Sequence, residues 1–311
     1  MPGHKSHPRA RQKLGQHFLS NPAWRERIAQ MLPATRDITW IEIGAGHGEM
    51  TEFLAQRSHR VIAIETDPAL AANLRQRATN WSNVEIVECD ILAVDLAALL
   101  SSLTSARPRQ AMASAMPKSS AAHAPSGAEV SPETRTLPHD ASQRFRVYGN
   151  LPYYITSPIL RHLFAYADQI DSIHVVVQLE VAERIAARPG GRDYGYLSVL
   201  CQYYARPEIS LRVPPGAFSP PPKVSSALVT MHLPGQRASL HVDDDTFLKF
   251  LQQCFAQKRK TLRNNLKATY SDAALENAFA FAGFRPKARA EELTLPQFAN
   301  LFARLRKSKN S

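Results

Sequence analysis

Four consecutive residues, Asn150-Leu151-Pro152-Tyr153, combine groups that could position a planar base for a reaction at its amine. The Asn150 side-chain carbonyl and the Leu151 backbone carbonyl can accept the two N–H bonds of an exocyclic amine such as adenine N6. Pro152 has no N–H and stiffens the turn, and the Tyr153 ring offers a face on which an extruded base can stack. These residue types predict catalysis by positioning and electrostatics, with no metal and no covalent intermediate. The alternative is an ordinary Asn-Pro-type turn.

Glycines at positions 44, 46 and 48 follow a β-rich run and precede a helical stretch, so they lie at a strand-to-helix turn. Glycine lets the backbone pass close to a ligand without a Cβ clash. A dinucleotide-binding turn has the spacing G-x-G-x-x-G, and in this chain the third glycine comes one residue early. The spacing resembles instead the first motif of S-adenosylmethionine-dependent methyltransferases, whose ligand carries no phosphate.

Two acidic residues, Glu65 and Asp90, follow the next two predicted strands. A carboxylate at the position of Glu65 can accept both hydroxyls of a ribose, as acidic residues do in nucleotide-binding folds. Asp90 can accept from the exocyclic amine of the cofactor's adenine. Either residue alone could be a solvated residue at a strand end, but together they predict a nucleoside pocket for S-adenosylmethionine.

The elements that must position these residues alternate between strands and helices. Five apolar runs are predicted to be strands, namely 38–44, 60–65, 84–87, 145–149 and 173–178. Three intervening segments are predicted to be helices, namely 49–56, 68–78 and 180–187. This order predicts an α/β fold with a mostly parallel, Rossmann-like sheet, in which ligands bind at the carboxyl ends of the strands.

Two parts of the chain depart from this alternation. Residues 104–142 are rich in Ala, Ser and Pro and contain no aromatic residue, which predicts a disordered surface insert within a catalytic domain of residues 21–235. Residues 236–311 form a smaller, helical C-terminal domain in this interpretation. Its predicted helices are 245–266, 272–282 and 295–305, with Gly283 as a C-cap.

The chain has 311 residues and a formal net charge of +11, and this charge is concentrated at its two ends. Residues 1–20 carry +4, residues 21–235 carry zero and residues 236–311 carry +7. A neutral middle between a basic N-terminal arm and a basic C-terminal part predicts a catalytic region flanked by two regions that bind a polyanion. The alternative is that the basic ends only aid solubility.

Other features of the composition exclude several protein classes. No run of 18 or more apolar residues exists, so a transmembrane helix and a membrane partner are not expected. The first residues lack the apolar segment of a secretory signal. Three widely separated cysteines exclude a disulfide scaffold and a CxxC zinc site, and they suit a cytoplasmic location.

Several ordered sequence blocks resemble those of one protein family, the ribosomal RNA adenine dimethylases, and specifically the small-subunit rRNA (adenine-N6,N6)-dimethyltransferases. The resemblance covers nearly everything except residues 1–8 and the insert. The blocks are QKLGQHFL (12–19), IEIGAGHGEMT (41–51), AIETD (63–67), YGNLPYYITSPIL (148–160), VQLEVAERI (177–185), YGYLSVLCQYY (194–204), FSPPPKVSS (218–226) and FAQKRKTLRNNL (255–266). Ala45, His47 and Leu179 depart from the more usual Pro, Leu and Lys, and none of them removes a group given a chemical role.

The resemblance implies an enzyme that uses S-adenosylmethionine to dimethylate two adjacent adenosines in the 3′-terminal hairpin of small-subunit rRNA. It also implies that the partner is the immature small ribosomal subunit and that the protein is a monomer. Residues matching the cofactor-contacting positions of the family are His17, Leu19, Gly44, Gly46, Glu65, Asp90 and Asn150. Phe218 matches the aromatic residue that sandwiches the target adenine opposite Tyr153. Basic residues expected at the rRNA are Arg11, Lys13, Lys223, Lys258, Arg259, Lys260 and Arg263.

Three other functions stay open on the sequence. Large-subunit rRNA adenine methylases share the glycine turn and the N-x-P-Y motif, although the blocks at 218–226 and 257–266 fit the small-subunit branch better. An assembly factor that binds immature small subunits would need no methyl transfer. A DNA adenine methylase would need a target-recognition domain, which the sequence does not show.

Overall fold

The computed structural model describes residues 17–99, 144–152 and 154–307, and its centre is a seven-stranded sheet. The strands are β1 Thr35–Ile43, β2 Ser58–Glu65, β3 Val84–Glu88, β4 Phe145–Asn150, β5 Ile170–Gln178, β6 Arg206–Val213 and β7 Ser226–His232. Their spatial order is β3-β2-β1-β4-β5-β7-β6. The predicted insert, most of the basic arm with Arg11 and Lys13, and Tyr153 lie outside the described residues.

Most of the sheet is parallel. Strand β1 pairs in parallel with β2 and β4, β2 pairs in parallel with β3, and β4 pairs in parallel with β5. Strand β7 runs antiparallel between β5 and β6. The predicted α/β fold with a mostly parallel sheet is therefore confirmed, whereas the antiparallel pair was not predicted. Because Ser226 begins β7 opposite Gln178, the end of β5, the residues before β7 lie at the carboxyl edge of the sheet.

Helices cover both faces of the sheet. One face carries α1 Pro22–Met31, α2 Thr51–Arg57 and α3 Pro68–Ala78. The other carries α4 Thr156–Phe164, α5 Leu179–Ala186 and α6 Tyr196–Tyr204. The chain continues through α7 Arg237–Leu240, α8 Asp244–Cys254, α9 Leu262–Leu266, α10 Asp272–Ala282 and α11 Leu295–Lys307. Among the described helices, none combines the length and apolar composition that a bilayer crossing requires.

The predicted helix at 245–266 is wrong, because α8 ends at Cys254 and α9 begins only at Leu262. Between them the chain forms an exposed turn, and the hydroxyl of Thr261 accepts a backbone N–H as the N-cap of α9. The Asn265 side chain donates to the Cys254 carbonyl at 2.7 Å and stabilises the turn between α8 and α9. The basic run at 258–260 therefore lies on a turn and not on a helix face.

One apolar cluster extends from the sheet into the C-terminal helices. It includes Val175 of β5, Tyr203 of α6, Phe247 of α8 and Phe302 of α11. The rings of Tyr203 and Phe247 lie 5.6 Å apart, and those of Phe247 and Phe302 lie 5.4 Å apart. Because this core crosses residue 236, a separate helical domain from that position onward stays a prediction.

Candidate active site

The turn between β1 and α2 contains three glycines with positive φ, and their surroundings differ. The φ angles are 70° at Gly44, 58° at Gly46 and 83° at Gly48. Gly44 is exposed, and an ideal Cβ built there would lie 3.9 Å from its nearest neighbour, the backbone oxygen of Asn150. A Cβ at Gly48 would lie only 2.5 Å from Leu74 Cδ1 of α3. Gly44 thus leaves open backbone beside Asn150, whereas Gly48 permits close packing of a helix.

Glu65, the last residue of β2, places a buried carboxylate beside this turn. Its side chain accepts the Gly46 N–H through Oε2 at 2.8 Å and the Asp67 N–H through Oε1 at 2.9 Å, and the residue is 3% exposed. Each carboxylate oxygen can accept two hydrogen bonds, so one acceptor position on each oxygen is left. This arrangement fits the predicted pair of ribose hydroxyls.

Asp90 lies two residues beyond β3 and is exposed. Its Oδ1 accepts the Leu92 N–H at 2.9 Å, and no described residue donates to the second oxygen. The N–H of the preceding Cys89 donates to the Glu65 backbone oxygen at 3.1 Å, which places this turn next to the end of β2. Asp90 and Glu65 therefore adjoin, as a nucleoside pocket requires. In the described parts of the chain, no group of three or more His, Cys, Asp or Glu residues is placed to hold a metal ion.

Residues 17–21 form a strap across the carboxyl edge of the sheet. The Asn150 Nδ2 donates to the His17 backbone oxygen at 2.8 Å. His17 Nδ1 is hydrogen-bonded to the Pro220 backbone oxygen at 2.7 Å. Phe18 and Ser219 exchange two backbone hydrogen bonds of 3.1 and 2.8 Å. The strap therefore joins the NLPY motif to the loop that carries Phe218.

The strap also packs on the glycine turn and on the core. The Phe18 ring lies 3.3 Å from the position of an ideal Cβ on Gly46. Leu19 and Phe218 are each 4% exposed and belong to the same apolar cluster as Tyr148. The predicted sandwich of an adenine against Phe218 requires one face of this ring to be uncovered, whereas Phe218 is buried in this structure.

Neither acceptor predicted for the target amine receives a hydrogen bond from a described residue. Because Asn150 Nδ2 donates to the strap, Oδ1 is the side-chain atom left to accept. The Leu151 N–H donates to the Val176 oxygen at 3.1 Å, and none of the described residues donates to the Leu151 carbonyl. The Pro152 carbonyl accepts the Ile155 N–H at 3.2 Å and closes the turn into α4.

Two buried polar residues beneath the turn were not predicted, namely Glu42 of β1 and Tyr148 of β4, which are 2% and 1% exposed. Thr51 donates its hydroxyl to Glu42 Oε2 at 2.5 Å. Burial raises the pKa of Glu42 to about 8, and the charges of Glu49 and Glu65 act in the same direction. The only sequence signal for Glu42 was an acid within an otherwise apolar strand.

The predicted basic run lies where three exposed loops meet. Lys258 Nζ donates at 3.4 Å to the backbone oxygen of Arg192, in the loop 188–193. The Leu262 N–H donates at 2.8 Å to the Ala288 oxygen, in the loop 285–289. The two neighbouring loops add exposed cations that were not predicted because they are distant along the chain from the basic run, namely Arg188, Arg192, Lys287 and Arg289.

The other predicted RNA contacts differ in their surroundings. Arg263 is ion-paired with Asp272 at 3.0 Å, so its charge is already partly neutralised. Lys223 is exposed shortly before β7, at the edge of the sheet where the NLPY motif lies. The structure thus brings Lys258, Arg259 and Lys260 together in one surface and leaves Lys223 nearer to the candidate active site.

Comparison with known proteins finds relatives over nearly the whole chain. A family model described as ribosomal RNA adenine dimethylase matches residues 7–307. A protein from Koribacter versatilis named ribosomal RNA small subunit methyltransferase A is 40% identical over 302 residues, covering 97% of this chain and 96% of the relative. A protein of the same name from Acidobacterium capsulatum is 42% identical over 294 residues, covering 94% and 90%.

Solved structures share the architecture. The 23S rRNA methyltransferase ErmE has a TM-score of 0.60 at 25% identity, covering 93% of this chain and 99% of that one. A dimethyladenosine transferase from Plasmodium falciparum has a TM-score of 0.66 at 21% identity, covering 94% and 98%. The fold is that of a class I S-adenosylmethionine-dependent methyltransferase. On the full-length family match and these relatives, the chain belongs to the ribosomal RNA adenine dimethylase family.

Proposed function

We propose that the protein transfers methyl groups from S-adenosylmethionine to N6 of two adjacent adenosines in the 3′-terminal hairpin of small-subunit (16S) rRNA. The observation that carries this proposal is the state of Asn150, whose Nδ2 donates to the His17 oxygen at 2.8 Å and whose Oδ1 is left to accept. The names of the relatives at 40% and 42% identity support a small-subunit substrate.

The chemistry follows from the two acceptors. S-adenosylmethionine supplies an electrophilic methyl group on a sulfonium sulfur. Adenine N6 is a poor nucleophile because its lone pair is delocalised into the ring. Two N–H···O bonds, to Asn150 Oδ1 and to the Leu151 carbonyl, favour rehybridisation and stabilise the positive charge that develops on N6 until a proton leaves to solvent. A second transfer needs the remaining N–H on one of these carbonyls, so the pocket must admit one methyl group.

The proposed cofactor seat surrounds the open backbone of Gly44. In it the Glu65 oxygens accept the ribose hydroxyls, and Asp90 accepts from the adenine amine. The strap closes the seat at one side. The residues proposed to form the seat are His17, Leu19, Gly44, Gly46, Glu65, Asp90 and Asn150.

The proposed rRNA surface is the meeting point of the three basic loops. Lys and Arg side chains there bind phosphates and release the counterions of the RNA. Because this release is less favourable at higher salt concentration, the affinity falls as salt is added. Lys223 acts nearer to the target adenosines in this proposal, and Arg11 and Lys13 of the arm also bind rRNA. The helical part from 236 to 311 then serves as the rRNA-binding domain of a cytoplasmic monomer, and its partner is the immature small ribosomal subunit.

The test is methyl transfer from labelled S-adenosylmethionine into immature small subunits, followed by nucleoside analysis. The wild-type protein should yield N6,N6-dimethyladenosine. Asn150→Ala should lower the rate by at least about 100-fold, the usual effect of removing one group that stabilises a transition state. Asn80→Ala, an exposed asparagine beyond α3, is the matched control and should retain the wild-type rate. Absence of dimethyladenosine would overturn the proposal, and full activity of Asn150→Ala would refute the role of Asn150.

A second candidate is methylation of large-subunit rRNA, which the likeness to ErmE supports. Primer extension on rRNA from a deletion strain separates the two, because N6,N6-dimethyladenine has no N6–H for base pairing and stops the polymerase one nucleotide before it. Loss of a large-subunit stop alone would replace the first candidate with the second. An Asn150→Ala protein that binds subunits without methylating them would show that assembly and methylation are separable.

A further inference from the structure

An exposed aromatic ring follows the NLPY motif directly and has no role in the mechanism given above. The Tyr154 side chain is 73% exposed, the highest value among the large apolar side chains that are exposed in the described residues. None of the described residues is hydrogen-bonded to Tyr154 or places a ring against it. Because isolated exposed apolar side chains are common on protein surfaces, the position of this ring decides whether it has a function.

The turn that carries Tyr154 is fixed on both sides by its neighbours. Leu151 is 1% exposed, and its N–H donates to the Val176 oxygen of β5 at 3.1 Å. Ile155 packs on the main apolar cluster, and its N–H donates to the Pro152 oxygen at 3.2 Å. The Tyr154 ring is therefore held at the carboxyl edge of the sheet, three residues along the chain from the Leu151 carbonyl that is proposed to accept the target amine.

A second exposed apolar side chain and a cation lie at the same edge. Val224 is 46% exposed and Lys223 is exposed, both in the loop before β7. The next residue, Ser225, accepts the Leu179 N–H at 2.9 Å, which joins this loop to the end of β5. Because β5 separates β4 from β7 and neighbouring strands are about 4.8 Å apart, the end of β4 and the start of β7 are about 10 Å apart. This part of the edge thus presents groups that suit a base and a phosphate.

The proposed reaction leaves a base that needs a stacking partner. An adenine in a stacked RNA strand reaches the acceptors of the motif only after it leaves its stack, which has an energetic cost. The base next to it then has an uncovered face. Aromatic side chains stack on such bases without regard to sequence, because every base has a π face. An uncovered ring beside the acceptors is placed to take this neighbouring base.

We propose that the Tyr154 ring stacks on the base that adjoins the adenine being methylated. This inference rests on the proposed function, since it assigns a further contact to the same RNA substrate. Two adjacent adenosines are modified in that proposal, so for one of the two targets the base on Tyr154 is the other adenosine. Tyr154 is then a positioning residue, because its contact offsets the cost of extruding the target base.

The test measures kcat/KM of methyl transfer into immature small subunits. Tyr154→Ala should lower it about tenfold, the usual effect of removing one aromatic ring from a stacked base. Tyr154→Phe is the matched control and should retain the wild-type value, because it keeps the ring and removes only the hydroxyl. Met31→Ala removes a side chain that is 48% exposed at the end of α1 and should also retain it. All three variants should bind S-adenosylhomocysteine with wild-type affinity, which shows that the cofactor seat is intact.

Substituted rRNA separates stacking from a structural role. Two sets of subunits carry uridine in place of one or the other target adenosine, and mass spectrometry of nuclease fragments follows methylation of the adenosine that remains. For the wild-type protein, one of the two substitutions should lower kcat/KM at that adenosine about threefold, because uridine offers a smaller ring for stacking. Tyr154→Ala has no ring to stack, so its kcat/KM at the same adenosine should not depend on the substitution. The substitution that shows this difference identifies the side of the target on which the stacked base lies.

The outcomes separate this inference from the proposed function. Wild-type kcat/KM of Tyr154→Ala, or an equal loss in Tyr154→Phe and Tyr154→Ala, would overturn the stacking role. A loss in Tyr154→Ala that neither uridine substitution changes would assign Tyr154 to another contact, such as a ribosomal protein, and would also overturn it. In each of these cases the wild-type protein still forms dimethyladenosine. If the wild-type protein forms none, the proposed function itself is wrong.

Discussion

The Gly48→Ala substitution should destabilise the protein, and the size of the loss can be worked from two features of the site. The φ angle of 83° is one that a residue with a Cβ adopts at a cost of about 1–2 kcal/mol. The added Cβ would lie 2.5 Å from Leu74 Cδ1, so Leu74 or α3 must move. Crowding of a packed core costs about 1–3 kcal/mol, which brings the expected loss to about 2–5 kcal/mol.

A matched control separates these two contributions. Gly190 has a φ of 81°, and an ideal Cβ there meets no atom within 4 Å. Gly190→Ala should therefore lose only the backbone contribution, about 1–2 kcal/mol. The difference between the two variants isolates the packing of the glycine turn against α3.

Urea unfolding followed by circular dichroism measures both losses, provided that the slopes of the two transitions agree. Because Gly48 lies in the same turn as Gly44 and Gly46, Gly48→Ala should also weaken S-adenosylhomocysteine binding, whereas Gly190→Ala should not. Equal losses of stability in the two variants would refute the close approach of Leu74 to the turn.

Two further predictions concern pH and salt. His174 of β5 is buried, and burial lowers its pKa to about 3, so below the unfolded value of about 6.5 the unfolded chain binds one more proton than the folded one. The free energy of unfolding should thus fall by about 2 kcal/mol between pH 6.5 and pH 5. Urea unfolding at the two pH values should show a smaller fall for His174→Gln than for the wild type. An equal fall in the two proteins would contradict the assignment to His174. Replacing Lys258, Arg259 and Lys260 together by alanine should reduce the slope of log affinity for subunits against log salt by about 2 to 3, measured by filter binding. Arg263→Ala is the control, since its guanidinium is already held in an ion pair, and an unchanged slope in the triple variant would refute the basic surface.

Local signals predicted those elements whose ends are determined by their own side chains. The helix 68–78 has the predicted bounds because Asp67 accepts two backbone N–H groups at its start. The helix 272–282 has them because Ser271 caps its start and Gly283, with a φ of 68°, ends it. By contrast, Lys and Arg are good helix formers, so nothing local marked the break after Cys254.

The site was predictable as a set of strand ends but not as an assembled pocket. The glycine turn, Glu65 and Asn150 each follow a strand, and parallel strands bring such positions to one edge. The hydrogen bond from Asn150 to His17 joins residues 133 positions apart, which no local spacing predicts. The opposition of Glu42 and Tyr148 depends on the register of β1 against β4, which is a property of the assembled sheet.

The hydrogen bonds of Glu65 have a consequence for genetic experiments that aim to separate subunit binding from methylation. Both of its carboxylate oxygens already hold a backbone N–H, one from Gly46 and one from Asp67. Gln at this position would turn its amide NH2 towards one of these donors, and Ala would leave both donors without this acceptor, the Gly46 N–H in a buried position. A strain carrying either change would suffer from a disordered turn as well as from lost methylation. Asn150, whose described side-chain contact is with the strap, is the better position for an inactive allele.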